Sequence, residues 1–165
     1  MDFLGFSDNI FMNDMKKKSF LVLVVLAAFL ASAVEAQEAN AAFPPQAIIT
    51  ASYLGDEQMV RNILAAKPDK DVRDAFGDTA LHVAVFQQNL TVVKLLLDYG
   101  FDPNARITSN GYTALHNAVS ANNAGAIRLL LRYGANKNIK GLDGLTPIDI
   151  ARKEEKQDLV KLLYR

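Results

Sequence analysis

The feature that most constrains the fold of this chain is an internal repeat with a period of 33–34 residues. Gly77–Val85 (GDTALHVAV) matches Gly111–Val119 (GYTALHNAV), and a third copy, GLTPIDIA, begins at Gly144. A second block follows each of the first two copies, at Val93–Gly100 (VKLLLDYG) and Ile127–Gly134 (IRLLLRYG). Repeats with periods of 20–50 residues are typical of solenoids, in which each repeat is one supersecondary unit stacked on its neighbours.

The same period predicts a weaker copy ahead of these. Its matching positions are Ala51, Gly55, Val60, Ile63 and Leu64. We therefore divide the chain into units of about residues 42–73, 74–107, 108–140 and 141–165. The first unit has Pro44-Pro45 in place of Gly-x-Thr, and the last has Asp149 where the middle units have histidine. Terminal repeats expose one face to water, so these departures favour a complete, capped domain.

These residues resemble the ankyrin repeat, whose motif reads Asp-x-x-Gly-x-Thr-Pro-Leu-His-x-Ala and, later, Val-x-x-Leu-Leu-x-x-Gly-Ala. The second unit matches the first part at Asp74, Gly77, Thr79, Leu81, His82 and Ala84. The third unit matches both parts, at Gly111, Thr113, Leu115, His116, Ala118, Leu129, Leu130, Gly134 and Ala135. The resemblance implies an all-α fold, an ankyrin-repeat solenoid of four stacked helix-turn-helix units with β-turn fingers.

The residues support this fold independently. Thr79, Thr113 and Thr146 stand where N-caps accept hydrogen bonds from free backbone amides at a helix start. Gly100 and Gly134 stand where a helix ends in a left-handed residue. A single unit cannot bury its own apolar face, so the recurring alanines are expected at the contacts between units. These alanines are Ala51, Ala84, Ala118 and Ala151.

The N-terminal residues predict a secretory signal peptide over residues 1–36, ahead of an ankyrin-repeat domain at 37–165. Lys16-Lys17-Lys18 precedes an apolar run that begins at Phe20 and ends among small residues, with Ala36 just before the predicted cut. Met12 and Met15 are alternative starts, and a cut after Ala33 is the alternative site. The run is shorter than the ~20 residues of a membrane span. We therefore expect a periplasmic or secreted protein, with an uncleaved membrane anchor as the alternative.

Composition and spacing argue against several classes of function. The formal net charge is zero and no cysteine is present, which disfavours nucleic-acid binding and excludes thiolate chemistry. His82 and His116 occupy equivalent positions in neighbouring units, so they should lie about 10 Å apart, too far to share one zinc ion. The resemblance implies that they are structural. We find no catalytic constellation and expect no metal or cofactor, although an enzyme with an unrecognised site stays an alternative.

The remaining expectation is a binding surface. The resemblance implies that a partner protein, which the sequence does not identify, docks on the concave face built from the fingers and the first helices. The positions transferred to that face, together with Arg106 of the adjoining finger, are Tyr53, Phe76, Asp78, Phe86, Gln87, Arg106, Asn110, Tyr112, Ser120, Leu142 and Asp143. We expect no nucleic-acid partner, no membrane contact after leader cleavage, and a monomer in the absence of the partner.

Aromatic residues on that face are the candidate anchors, because aromatics and arginine are enriched at interface centres. Tyr53, Phe76, Phe86 and Tyr112 form a predicted aromatic stripe. Phe76 and Tyr112 are expected to be exposed at finger tips, whereas Tyr53 and Phe86 are as well suited to packing between units. One extra residue between Ala105 and Asn110 is expected to lengthen the third finger.

Overall fold

The computed structural model describes residues 43–164 of the chain. The predicted leader, its alternative starts at Met12 and Met15 and its cut sites lie outside these residues. Within them the chain forms helices and no strand, which confirms the all-α prediction. In chain order the helices are α1 (Ala47–Leu54), α2 (Glu57–Ala65), α3 (Ala80–Phe86), α4 (Leu90–Tyr99), α5 (Ala114–Ser120), α6 (Ala124–Arg132), α7 (Pro147–Lys153) and α8 (Gln157–Tyr164).

The helices form four antiparallel pairs that stack in two layers. The first helices contact one another in order, α1 to α3 to α5 to α7, and the second helices do the same, α2 to α4 to α6 to α8. Each first helix also packs on the second helix of its own unit. The alanines predicted at these contacts are fully buried, so no Cβ branch separates neighbouring helices. This two-layer stack is the predicted ankyrin-repeat solenoid.

Six of the eight helices between residues 43 and 164 begin with a side-chain cap. Three second helices begin after Asp56, Asn89 or Asn123, whose side chains accept a hydrogen bond from the backbone N–H three residues on, at 2.9–3.0 Å. The first helices of the last three units begin after Thr79, Thr113 and Thr146. In each of these the third helical residue reaches back to the threonine backbone amide and forms a capping box, which confirms the predicted N-caps.

Left-handed residues turn the chain at both ends of the second helices. Gly100 and Gly134 have φ of +95° and +85°, as expected, and Lys67 takes this conformation in the first unit. The tight turns between the first and second helices also contain a left-handed residue in each unit. Only the first unit has glycine there, and the others have non-glycine residues. These positions are Gly55, Gln88, Asn122 and Glu155, and the sequence reading did not anticipate the conformation of the last three.

The first-helix layer carries the fingers, which are the turns that connect one unit to the next. We name them the second finger (residues 74–78), the third finger (107–112) and the fourth finger (141–145). The fingers and the exposed sides of the first helices make up what we call the finger face. None of the helices between residues 43 and 164 has the length and apolar character needed to cross a membrane.

The buried core predicts a large cost for truncating a second-helix leucine. Leu96 of α4 is fully buried, so Leu96→Ala leaves a cavity and should lower the free energy of unfolding by about 2–5 kcal/mol. Thr91→Ala, on the exposed side of the same helix, is the matched control and should change it by less than about 0.5 kcal/mol. Denaturant unfolding followed by circular dichroism measures both. Equal losses in the two variants would contradict the predicted core.

Candidate functional site

The second finger is held by its own carboxylate. Gly77 donates its N–H to the Asp74 carbonyl at 3.1 Å and closes the turn. Asp74 Oδ1 accepts from the backbone N–H groups of Phe76 and Asp78 at 2.8 and 2.9 Å. An aspartate that binds the amide two residues on is typical of a tight turn, and here it holds Phe76 at the tip.

The third finger contains the extra residue that the spacing predicts. In the second finger, backbone bonding joins Asp74 to Asp78 at 3.0 Å, a separation of four residues along the chain. In the third finger it joins Ile107 to Tyr112 at 2.7 Å, a separation of five, and Gly111 donates to Ile107 at 2.9 Å. The insertion therefore lies inside this turn, and it changes which side chains the third finger presents.

The two histidines link the fingers to the helices. His82 and His116 each accept the backbone N–H of the preceding N-cap threonine at Nδ1, at 3.2 and 3.0 Å. Nε2 of His116 contacts the Leu145 carbonyl of the next unit at 3.3 Å. Because Nδ1 is an acceptor, the proton belongs on Nε2, which donates to that carbonyl. His116 therefore ties two neighbouring units together, as the resemblance implies.

His82 differs from His116 at its second nitrogen. Its Nε2 is buried and has no hydrogen-bond partner among residues 43–164. The carbonyl equivalent to that of Leu145 belongs to Tyr112, on the longer third finger, and it accepts from the Ile107 N–H. Burial lowers the pKa of His82 to about 4, with nearby backbone carbonyls of Tyr112 and Ala105 opposing the shift. His82 is therefore a neutral group at neutral pH.

The Nδ1 atoms of these histidines already accept hydrogen bonds, so their lone pairs are not available to bind a metal ion. In both rings the Nδ1 lone pair accepts from a threonine amide, and the threonine hydroxyl lies 2.9 Å from the same atom. In the part of the chain that the structure describes, no three His, Asp or Glu side chains are grouped closely enough to hold a metal ion. The arrangement is that of a structural link.

Tyr112 is not the exposed anchor that its position in the finger predicts. The ring is half-buried and stacks on His116, with centroids 4.7 Å apart and planes 14° apart. Its hydroxyl donates to Asp143 Oδ2 at 2.6 Å. This bond raises the pKa of Tyr112 to about 12 and lowers the pKa of Asp143. The expectation of an exposed Tyr112 is wrong because His116 of α5 stacks on its ring and Asp143 of the fourth finger accepts from its hydroxyl.

Arg106 is exposed, but its guanidinium group is also engaged. Its Nη2 donates to the Lys140 carbonyl of the next unit at 2.9 Å. Arg73, at the equivalent position one unit earlier, donates to the carbonyls of Arg106 and Gly77, each at 2.8 Å. These arginines therefore brace successive fingers.

Three predicted aromatic residues converge on one groove of the finger face. Tyr53 of α1 is 63% exposed, Phe76 of the second finger 75% and Phe86 of α3 68%. They line a groove of about 450 Å³ between the second and third fingers. The rest of its lining is formed by Asp74, Asp78, His82, Val83, Gln87, Ile107, Asn110 and Asn117. Tyr53 and Phe86 are thus on the surface and not packed between units.

The structure brings together about half of the predicted site. The predicted residues that line the groove are Tyr53, Phe76, Asp78, Phe86, Gln87 and Asn110. Those outside its lining are Arg106, Tyr112, Ser120, Leu142 and Asp143. The Ser120 carbonyl accepts from Lys156 Nζ at 2.9 Å, and the Leu142 amide donates to the Asn110 carbonyl at 2.8 Å. Ser120, Leu142 and Asp143 thus take part in contacts between the third and fourth units.

Sequence reasoning missed several lining residues. Val83 lies three residues before Phe86 and four before Gln87, so these side chains share one face of α3. Asn117 occupies the position in α5 equivalent to Val83. Helical spacing from Phe86 was therefore a signal that could have found both. Asp74 matches the repeat motif, and that match alone does not predict its place in the groove.

Asp78 is the perturbed carboxylate of the groove. It is half-buried, and its pKa is raised, first by desolvation and then by the neighbouring Asp74 carboxylate. The Arg73 guanidinium opposes this shift without reversing it. The negative charge of Asp78 is therefore poorly compensated within the finger.

Comparison with known proteins agrees with the geometry. The family model described as "Ankyrin repeats (3 copies)" matches the chain over residues 24–107, 47–141 and 104–165. The overlapping matches together extend from residue 24 to residue 165. No curated protein sequence matches the chain.

The environment of His82 predicts a dependence of stability on pH. Because its folded pKa of about 4 lies below the ordinary value of 6.5, its contribution to stability is complete above pH 6.5 and is lost as the pH falls towards 4. Proton NMR can follow the two histidine rings of the chain separately. We expect a folded-state midpoint near pH 4 for His82 and, in urea, a return to the ordinary value. A folded-state midpoint at or above 6.5 would contradict the buried, neutral assignment.

Proposed function

Since the chain belongs to the ankyrin-repeat family, we propose that it binds a partner protein through the groove lined by Tyr53, Phe76 and Phe86, in an exported compartment. Ankyrin repeats generally mediate protein–protein interaction, and domains built from them are typically not enzymes. The partner's location on this face and the compartment are the proposed parts.

The observation that carries the proposal is the convergence of three exposed aromatic side chains on one groove. Each comes from a different element, α1, the second finger or α3, and each keeps most of its surface in water. Scattered exposed aromatics are common, but a cluster of them in a concavity is typical of an interaction site. Buried aromatic anchors also dominate the binding energy of many interfaces.

The scaffold holds these side chains without relying on the partner. Phe76 is positioned by the hydrogen bonds from its own backbone N–H and that of Asp78 to Asp74 Oδ1. Tyr53 and Phe86 lie on helices whose opposite sides are buried. A site on rigid elements loses little conformational freedom on binding, which favours affinity. By contrast, Tyr112 is held by His116 of its own unit and by Asp143 of the next unit, so we leave it out of the proposed anchors.

Export is supported by the N-terminal residues alone. Lys16-Lys17-Lys18, the apolar run that follows and Ala36 have the order of a secretory leader. The residues that line the proposed groove lie wholly within residues 53–117, outside the leader.

Processing of the leader can be tested directly. We expect the exported protein to begin at Gln37, because Val34 and Ala36 provide the small residues that precede a cut. N-terminal sequencing of the protein recovered from the exported fraction measures this. A membrane-bound product that retains Ser19–Val34 would replace the export proposal with that of an anchored scaffold.

The groove predicts which substitutions weaken binding. Phe76→Ala and Phe86→Ala should each reduce the affinity for the partner by about 1–3 kcal/mol, the usual range for interface anchors. Their unfolding free energies should change by less than about 0.5 kcal/mol, because both side chains are exposed. Calorimetric titration with the protein captured from the exported fraction measures the affinities.

Leu90→Ala is the matched control for these variants. Leu90 is also an exposed apolar residue, but it starts α4 in the second-helix layer, away from the finger face. Its replacement should leave the affinity unchanged. If Leu90→Ala abolishes binding while both phenylalanine variants bind like the parent, the proposed face is wrong.

A further inference from the structure

The charged side chains of the groove are all of one sign. Asp74 and Asp78 flank Phe76 on the second finger, and in the part of the chain that the structure describes the groove is lined by no lysine or arginine. His82, which also lines it, is neutral at neutral pH. The groove therefore presents two carboxylates beside exposed aromatic rings.

Ion pairs among residues 43–164 do not neutralise these carboxylates. Of the ion pairs formed between residues 43 and 164, none includes Asp74 or Asp78. The Arg73 guanidinium acts on Asp78, but its Nη1 donates to the backbone carbonyls of Gly77 and Arg106. Asp74 Oδ1 accepts two amides of its own finger, whereas Asp78 is half-buried, and its carboxylate accepts no hydrogen bond from another described residue.

We propose that this groove binds an arginine or lysine side chain of the partner protein, between the aromatic rings and the carboxylates of Asp74 and Asp78. The inference rests on the proposed function and adds the chemistry of the segment that is recognised. A cation gains from both kinds of lining group, since carboxylates attract it directly and aromatic faces attract it through their quadrupoles.

Other side chains fit this groove less well. An acidic side chain would be placed against two carboxylates and repelled by them. A purely apolar segment would cover Asp78 and remove its remaining water without supplying a partner, which is costly for a charged group. A long cationic side chain avoids both penalties, because its aliphatic stem covers the aromatic rings while its charged end reaches the carboxylates.

A second groove of similar size provides an internal contrast. It lies on the second-helix layer and has a volume of about 460 Å³. Its charged lining residues, Lys94, Arg128 and Arg132, are all basic, and Leu90, Thr91, Gly125 and Leu129 complete it. The two layers of the domain thus carry grooves of opposite sign. A cationic probe should distinguish them.

The test uses the full chain, labelled with ¹⁵N, and short peptides of one design. The probes are acetyl-Gly-X-Gly-amide with X as arginine, lysine, citrulline or glutamate, where citrulline is the uncharged analogue of arginine. We expect the arginine and lysine peptides to shift amide resonances of the second finger and α3. The citrulline peptide should bind about tenfold more weakly, and the glutamate peptide should produce no shift there.

Two substitutions separate the local charge from the net charge of the protein. Asp78→Asn removes the half-buried carboxylate and should weaken binding of the arginine peptide by about tenfold. Asp158→Asn removes the same charge from the exposed surface of α8 and should leave binding unchanged. Asp74→Asn keeps an oxygen that can accept the two finger amides, so it tests the second carboxylate without removing that acceptor.

The outcomes separate this inference from the proposed function. Equal binding of arginine and citrulline peptides, equal effects of Asp78→Asn and Asp158→Asn, or no shift with any probe at millimolar concentration overturns the cation site. If Phe76→Ala weakens binding of the captured partner but Asp78→Asn does not, the groove still binds protein and only the cation inference fails. If neither Phe76→Ala nor Phe86→Ala weakens binding of the partner, the proposed function fails.

Discussion

Stacking of each unit on its neighbours is the interaction on which the rest of this structure depends. A helix pair has apolar side chains on more than one side, and only an adjacent pair can cover them. The four buried alanines, Ala51, Ala84, Ala118 and Ala151, allow the first helices to approach closely, and the leucines of the second helices fill the layer beneath. The spacing of the fingers follows from the spacing of the helices, so the packing of the core sets the width of the groove.

Side-chain bonds to backbone carbonyls reinforce this stacking at the edge of the core. His116 reaches the carbonyl of Leu145, Arg106 that of Lys140 and Asn104 that of Gly134, each in the following unit. Such bonds satisfy carbonyls that no helix or sheet would otherwise pair. They also engage the side chains of Asn104 and Arg106, which precede the third finger. The aromatic residues of the groove stand apart from them because Phe76 and Phe86 are exposed and take no part in these links.

The fold could be predicted from the sequence because the same structural signals recur at equivalent positions in several units. Thr79 alone is a weak N-cap signal, but Thr113 and Thr146 at equivalent positions in the next two units make the three helix starts a strong prediction. The site was predictable only in part. Position in the repeat predicted that Phe76 lies at a finger tip, yet it could not predict that Tyr112 finds Asp143 on the next finger, because that bond depends on the distance between units. The left-handed Gln88 was missed for a related reason, since packing imposes a conformation that its residue type does not favour.

The replacement of histidine by Asp149 gives the array a polarity. Asp149 holds the Thr146 amide at 3.0 Å and its hydroxyl at 2.6 Å, so it does locally what the histidines do. An ionised carboxylate, whose pKa is lowered here first by the Thr146 hydroxyl, has no proton to offer a carbonyl of another unit. The units are therefore not interchangeable modules. A duplicated second unit would place its histidine beside a second finger, whose backbone bond spans four residues as it does in the fourth finger that His116 contacts, whereas a duplicated fourth unit would set an acceptor against an acceptor. Engineered lengthening of this array should accordingly proceed from its middle.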